Sequence, residues 1–156
     1  MRGKFLLSTV FSLVVVALAA PLALADEESV IRAGGVQLTL PDGWAKVDRA
    51  AEPVGSDPRT LLVAGTKGVR AVPTPCQVAS YRVPDTGAVV VVIGWREGFL
   101  DEPKLELTKL RKPMFACFDG RGAMGQVTRK GRDYQISVMV GDDASAQTIR
   151  EAFAVA

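Results

Sequence analysis

The sequence predicts an α+β fold: mainly antiparallel β-sheet with one C-terminal helix packed on it. Three observations lead there. Short apolar runs recur between turn-forming segments along residues 36–140. The run Val89-Val90-Val91-Val92-Ile93 is β-branched at every position, which suits a pleated sheet and stiffens χ1 against a helix. Only the C-terminal segment shows a helical stripe, with Ile149, Ala152, Phe153 and Ala156 at i, i+3, i+4 and i+7.

The chain of 156 residues opens on Arg2 and Lys4, followed by an uncharged, largely apolar stretch from Phe5 to Ala25. That is the layout of a secretory signal peptide, and Ala23-Leu24-Ala25 before Asp26-Glu27-Glu28 places the cut after Ala25. An uncleaved anchor is the rival reading, since about 20 apolar residues span a bilayer; Pro21 and the Ala-x-Ala site favour cleavage. The expected organisation is a signal peptide at 1–25, an N-terminal leader at 26–35 and a single domain at 36–156, placed outside the cell or at its envelope. Removing Arg2 and Lys4 from 19 basic residues leaves 17 against 17 acidic ones. A neutral mature domain argues against nucleic acid as a partner, because nucleic-acid binders are distinctly basic.

Val36, Leu38 and Leu40 alternate with polar residues, and Pro41-Asp42-Gly43 offers turn chemistry before Trp44-Ala45-Lys46-Val47; this predicts a hairpin. Residues 48–59 hold Pro53, Gly55 and Pro58 among charges and read as a surface loop. Thr60–Ala64 is a short buried strand, 66–75 another loop, and Gln77–Val83 a strand entering the turn Pro84-Asp85-Thr86-Gly87. Ala88–Trp95 is the central strand, since an exposed run of this kind invites aggregation. After a loop at 96–103, Lys104–Lys112 and Met114–Phe118 are expected as strands. Ala123–Arg129 and Asp133–Val140, joined by Lys130-Gly131-Arg132, form the clearest hairpin. Asp142, Asp143 or Ser145 caps the terminal helix.

Cys76 and Cys117 are the only cysteines, and an even count in an exported chain predicts one structural disulfide. Closing a loop of 41 residues stabilises by about 4 kcal/mol on the chain-entropy argument. A redox pair would show Cys-x-x-Cys spacing, which is absent.

The chain contains no His. That removes the commonest general base, the commonest metal ligand and every Ser-His or Cys-His nucleophile pair. No nucleophile elbow, zinc-binding set or cofactor fingerprint takes its place. Gly120-Arg121-Gly122-Ala123-Met124-Gly125 matches G-x-G-x-x-G, but the residues after it alternate as a strand, where a dinucleotide site needs a helix; a turn or bulge is expected instead. No catalytic residue, metal or cofactor is assigned.

Charge is unevenly spread, and 104–132 holds 8 basic and 2 acidic side chains. Lys109, Arg111, Lys112, Arg121, Arg129, Lys130 and Arg132 are the candidate surface for an anionic envelope component, either lipid head groups or an acidic polymer. The bland alternative is a solvated face balanced by acidic segments of the same domain. The expected function is therefore a non-enzymatic binding domain whose partner is an unknown protein or such an anionic component, with membrane anchoring only through the signal peptide or if that segment is uncleaved. A His-independent enzyme using carboxylates, and a structural or inhibitory module pairing through a sheet edge, are the alternatives.

Trp95, the stretch Phe115–Ala123 and the stretch Tyr134–Asp142 together resemble a group of small exported actinobacterial proteins, from about Val36 to the C-terminus. The resemblance implies export and a single domain, and carries no functional residue across. Leu38-Thr39-Leu40-Pro41-Asp42-Gly43-Trp44 and the terminal helix bear a looser likeness to PsbP/Mog1-type α+β domains.

Overall fold

The computed structural model describes residues 29–73, 80–95, 110–111 and 120–156. The expected signal peptide, the loop expected at 96–103, the strand expected at Met114–Phe118 and both Cys76 and Cys117 lie outside these, and of Lys104–Lys112 only Leu110 and Arg111 are described. Among the described residues no helix is long and apolar enough to cross a membrane.

Among the described residues nine strands and one helix follow in the order β1 (Ser29–Ala33), β2 (Val36–Leu40), β3 (Trp44–Lys46), β4 (Arg59–Thr66), β5 (Arg70–Ala71), β6 (Tyr81–Arg82), β7 (Ala88–Gly94), β8 (Arg121–Arg129), β9 (Arg132–Val140) and α1 (Ala146–Val155). The main sheet has five strands in the order β3-β4-β7-β9-β8, and every pairing in it is antiparallel. β1–β2 and β5–β6 are separate two-stranded sheets. The α+β class expected from the sequence is what forms.

The β-branched strand β7 sits in the middle of the sheet, and Val89 to Ile93 are 0–1% exposed. Both of its faces are covered. Val90 and Val92 join Leu62, Ala64, Ile136, Val138 and Val140 in a core roofed by Leu38 and Leu40 of β2 and by Ala152 and Val155 of α1. Val89, Val91 and Ile93 face the other way, with Val63 and Met139, against Val47 and Tyr81. A strand buried on both faces reads as a continuous apolar run, which is why this one shows no alternation.

The loop expected at 66–75 holds the short strand β5, paired with β6, and two further local expectations change. Val36–Leu40 does not pair with Trp44–Lys46 across Pro41-Asp42-Gly43. It turns back on β1, with Ser29 opposite Leu40 and Ala33 opposite Val36. The two-residue connection Gly34-Gly35 has φ values of 59° and 84°, the left-handed backbone that hairpin turns with a matching twist require. The Pro41 turn instead carries the chain over to the main sheet, where Trp44 pairs with Thr66. Ser29–Ala33, expected in a leader, is thus a paired strand, and its Ile31 and Ala33 pack against the core. The second change concerns the G-x-G-x-x-G stretch. Arg121 to Gly125 pairs without interruption with Val140 to Ile136, so Gly122 and Gly125 lie in regular strand and not in a turn or bulge, while Gly120 stands in a bend just before it.

The β8–β9 hairpin is as expected, with Lys130 and Gly131 both at positive φ. Ser145 caps α1, its Oγ accepting from the Thr148 N–H at 3.0 Å. Trp44 Nε1 donates to Glu151 Oε2 at 3.3 Å and ties the helix to β3.

Tyr81 anchors the second face. It is 2% exposed, and its hydroxyl accepts from the Ala50 N–H at 3.1 Å. Burial pushes the phenol above its ordinary value of 10.0, only partly offset by the Ala50 hydrogen bond. The folded state then holds the proton more tightly than the unfolded chain, so this stability is complete below pH 10 and declines as pH rises through the raised value. Tyr81→Phe is expected to flatten that alkaline decline in pH-resolved denaturant melts, and to cost about 1 kcal/mol near neutrality by leaving the Ala50 N–H without its acceptor.

Candidate functional site

The sheet has two poles, and the basic residues singled out from the sequence divide between them. Arg121 stands opposite Val140 at one end of β8, and Arg129 opposite Arg132 at the other. Nine residues of strand separate these ends by roughly 26 Å at about 3.3 Å per residue. Arg111 forms a bridge with Gly122 and belongs with Arg121; Arg129, Lys130 and Arg132 share the hairpin tip. Lys109 and Lys112 lie outside the described residues. The five described residues of the expected basic face, Arg111, Arg121, Arg129, Lys130 and Arg132, therefore fall in two separate groups.

Arg121 is engaged where it stands, with Nη2 donating to the Asp142 carbonyl at 3.4 Å. The tip residues Arg129, Lys130 and Arg132 are exposed. Beside them the ends of β4, β7 and β9 form a notch of about 170 Å³, and its construction follows from register. Arg59 is opposite Gly94, and Gly94 opposite Tyr134, so the three lie in one row across adjacent strands with their side-chain positions on the same face. Gly94 supplies no side chain between Arg59 and Tyr134.

A β-bulge places Arg59 in that row. Leu62 pairs with Val92, but Thr60 pairs with Ile93, with a register shift between them. Regular pairing onward from Leu62 would set Thr60 opposite Gly94 and turn Arg59 to the other face. The extra residue reverses this, as bulges do when they re-aim side chains. It also lets Leu61 pack against the same core cluster as Leu62. Leu61 lies over Gly94, where an added Cβ would meet its Cδ1 at 2.7 Å, and makes the apolar floor.

Arg132, Trp95 and Asp57 complete the walls, and Gly34 of the β1–β2 turn closes one side. The Tyr134 hydroxyl donates to the Gly34 carbonyl at 3.4 Å, which fixes the ring beside the notch. Arg59 is also shared with a broader concavity of about 620 Å³ on the 46–59 segment. That segment is held in place by its own polar groups. Glu52 accepts from the Thr60 N–H at 2.9 and 3.2 Å, and Arg49 Nη1 donates to the Thr60 carbonyl at 3.2 Å.

Arg59 was not among the residues singled out from the sequence, where it ends a predicted loop. Its role depends on the bulge, and Thr60-Leu61-Leu62-Val63-Ala64 offers no alternation from which a bulge could be read. Among the described residues no group of three His, Cys, Asp or Glu is placed to hold a metal ion.

Fold and site together define an antiparallel α+β domain with a notched, cationic pole. No protein-family model, no curated protein and no solved structure matches the chain.

Proposed function

We propose that the protein is an exported binding domain of the cell envelope or extracellular space that meets an anionic polymer through the pole carrying Arg59, Arg129, Lys130 and Arg132. The observation that supports this is convergence. The start of β4 and the β8–β9 tip, far apart in sequence, bring cationic side chains to one end of the sheet around a concave notch. Fixed positive charge beside a concavity raises the local concentration of anions. Among the described residues, Lys130 and Gly131 form the turn between Arg129 and Arg132, so the β8–β9 tip itself presents no apolar side chain to a bilayer. Lipid-surface binding draws on buried apolar area as well as charge, which favours a polymer over lipid head groups. A chain without His also suits binding better than acid/base catalysis. Export with a cut after Ala25 and a Cys76–Cys117 bridge belong to the same proposal.

Fluorescence polarisation with labelled polygalacturonate tests it. The expected result is saturable binding that weakens at least tenfold between about 20 and about 200 mM salt, as screening shortens the reach of the exposed charges. Absence of binding at low salt would remove the polymer reading. Binding to phosphatidylglycerol vesicles but not to the polymer would replace it with a lipid surface.

A further inference from the structure

We infer that the notch between Arg59 and Arg132 is a carboxylate-binding pocket, holding one acid group of the partner at a time; this rests on the reading of the cationic pole as a polyanion site and names the group it recognises.

Charge balance selects a monoanion. Among the described residues the lining carries two guanidiniums, Arg59 and Arg132, against one carboxylate, Asp57, a formal excess of one positive charge. A carboxylate supplies one negative charge, whereas a phosphate monoester brings up to two. Geometry points the same way, because the planar guanidinium fork matches the two oxygens of a carboxylate.

Availability separates these arginines from Arg49 beside them and from Arg121 at the other pole. Arg49 and Arg121 direct their guanidiniums at the Thr60 and Asp142 carbonyls, at 3.2 and 3.4 Å. Among the described residues Arg59 and Arg132 have no side-chain hydrogen bond or ion pair. Desolvating an engaged guanidinium would first break a bond; here that cost is absent.

Size limits what enters. A notch of about 170 Å³ is small beside ligand pockets of about 300–1,000 Å³. It accommodates a carboxylate with the two or three carbons next to it, the rest of a polymer unit remaining outside the mouth. The carbons would meet apolar surface, since Leu61 forms the floor and the rings of Trp95 and Tyr134 form walls.

The two tryptophans supply a probe and an internal control. Trp95 lines the notch, while Trp44 is opposite Thr66 at the other end of β4 from Arg59. Propionate, galacturonate and inorganic phosphate are titrated at constant ionic strength into the ¹⁵N-labelled full chain, and both indole N–H resonances are followed. Propionate and galacturonate are expected to shift Trp95 saturably and leave Trp44 in place, with phosphate about tenfold weaker. Arg59→Gln and Arg132→Gln are each expected to weaken the carboxylates by about tenfold, the effect of losing one charge-assisted hydrogen bond, with an unchanged melting temperature. The inference is overturned if neither carboxylate gives a saturable Trp95 shift, if phosphate binds as tightly, or if both variants keep full affinity. Polygalacturonate binding that persists beside any of these results would leave the cationic pole standing and remove the pocket alone; loss of polymer binding as well would remove both.

Discussion

Gly141→Ala is expected to destabilise the protein by roughly 3 kcal/mol, at the upper end of what overpacking a close contact costs. The reason is the approach of two backbone segments. Gly141 follows β9, and its N–H donates to the Gly87 carbonyl at 3.0 Å, while the Asp143 N–H donates to the Asp85 carbonyl at 2.9 Å. These bonds clamp the turn before β7 onto the segment leading to α1. A Cβ at 141 would press on the Asp85 and Pro84 carbonyl oxygens, which are main-chain atoms and cannot swing aside as a side-chain end does. An ordinary Gly→Ala change at a compatible site stabilises by about 0.4–1 kcal/mol through the unfolded chain, so the two outcomes differ in sign. Thermal melts are expected to show a midpoint lowered by about 10 °C; an unchanged or raised midpoint would mean that the clamp does not exist in solution.

Val90→Asp is expected to abolish folding. Val90 is 0% exposed and lies between Ala64 on β4 and Val138 on β9, in the apolar cluster roofed by β2 and α1. A carboxylate there meets no donor from these apolar side chains, and an unpaired buried charge costs many kcal/mol or is neutralised at a cost of several. Either exceeds much of the roughly 5–15 kcal/mol that holds a domain together. Circular dichroism and solubility of the purified variant check this. A folded variant would show that Ala88–Gly94 is an exposed edge and not the middle of the sheet.

The elements most legible in the sequence were those whose cause is local. Five consecutive β-branched residues identified the central strand, and the tyrosine-to-valine alternation over Tyr134–Val140 with a Lys-Gly turn identified the β8–β9 hairpin. The helical stripe and Ser145 identified α1. Errors arose where two local signals competed or where the deciding contact was distant. Gly34-Gly35 and Pro41-Asp42-Gly43 both carry turn chemistry, and only the burial of β2 against the main sheet decides that the first makes the hairpin. Asp133, Gln135 and Ser137 alternate with the apolar residues of β9 and would suit a solvated face, yet all three are buried. They are partly satisfied locally, with Thr128 donating to Asp133 and Gln135 to Ser137.

For the site the same distinction holds. The richness of 104–132 in basic residues was visible, but charge along a chain does not say which ends of a strand the charges occupy. Pairing of β8 with β9 sends Arg121 to one pole and Arg129 to the other, and the bulge in β4 brings Arg59 to the second. A glycine at 94, unremarked in the sequence, opens the notch because it stands between Arg59 and Tyr134 in the sheet.

If the notched pole is the binding surface, charge at the two ends of β8 must be unequal in effect. Polygalacturonate affinity is to be compared between Arg129→Glu/Lys130→Glu and Arg111→Glu/Arg121→Glu at about 0.1 M salt. The first pair is expected to lose at least tenfold in affinity and the second to stay within about twofold, since charges roughly 26 Å away lie well beyond the screening length of about 10 Å at 0.1 M salt. Equal losses from both pairs, or a greater loss from the second, would contradict the assignment of binding to this pole.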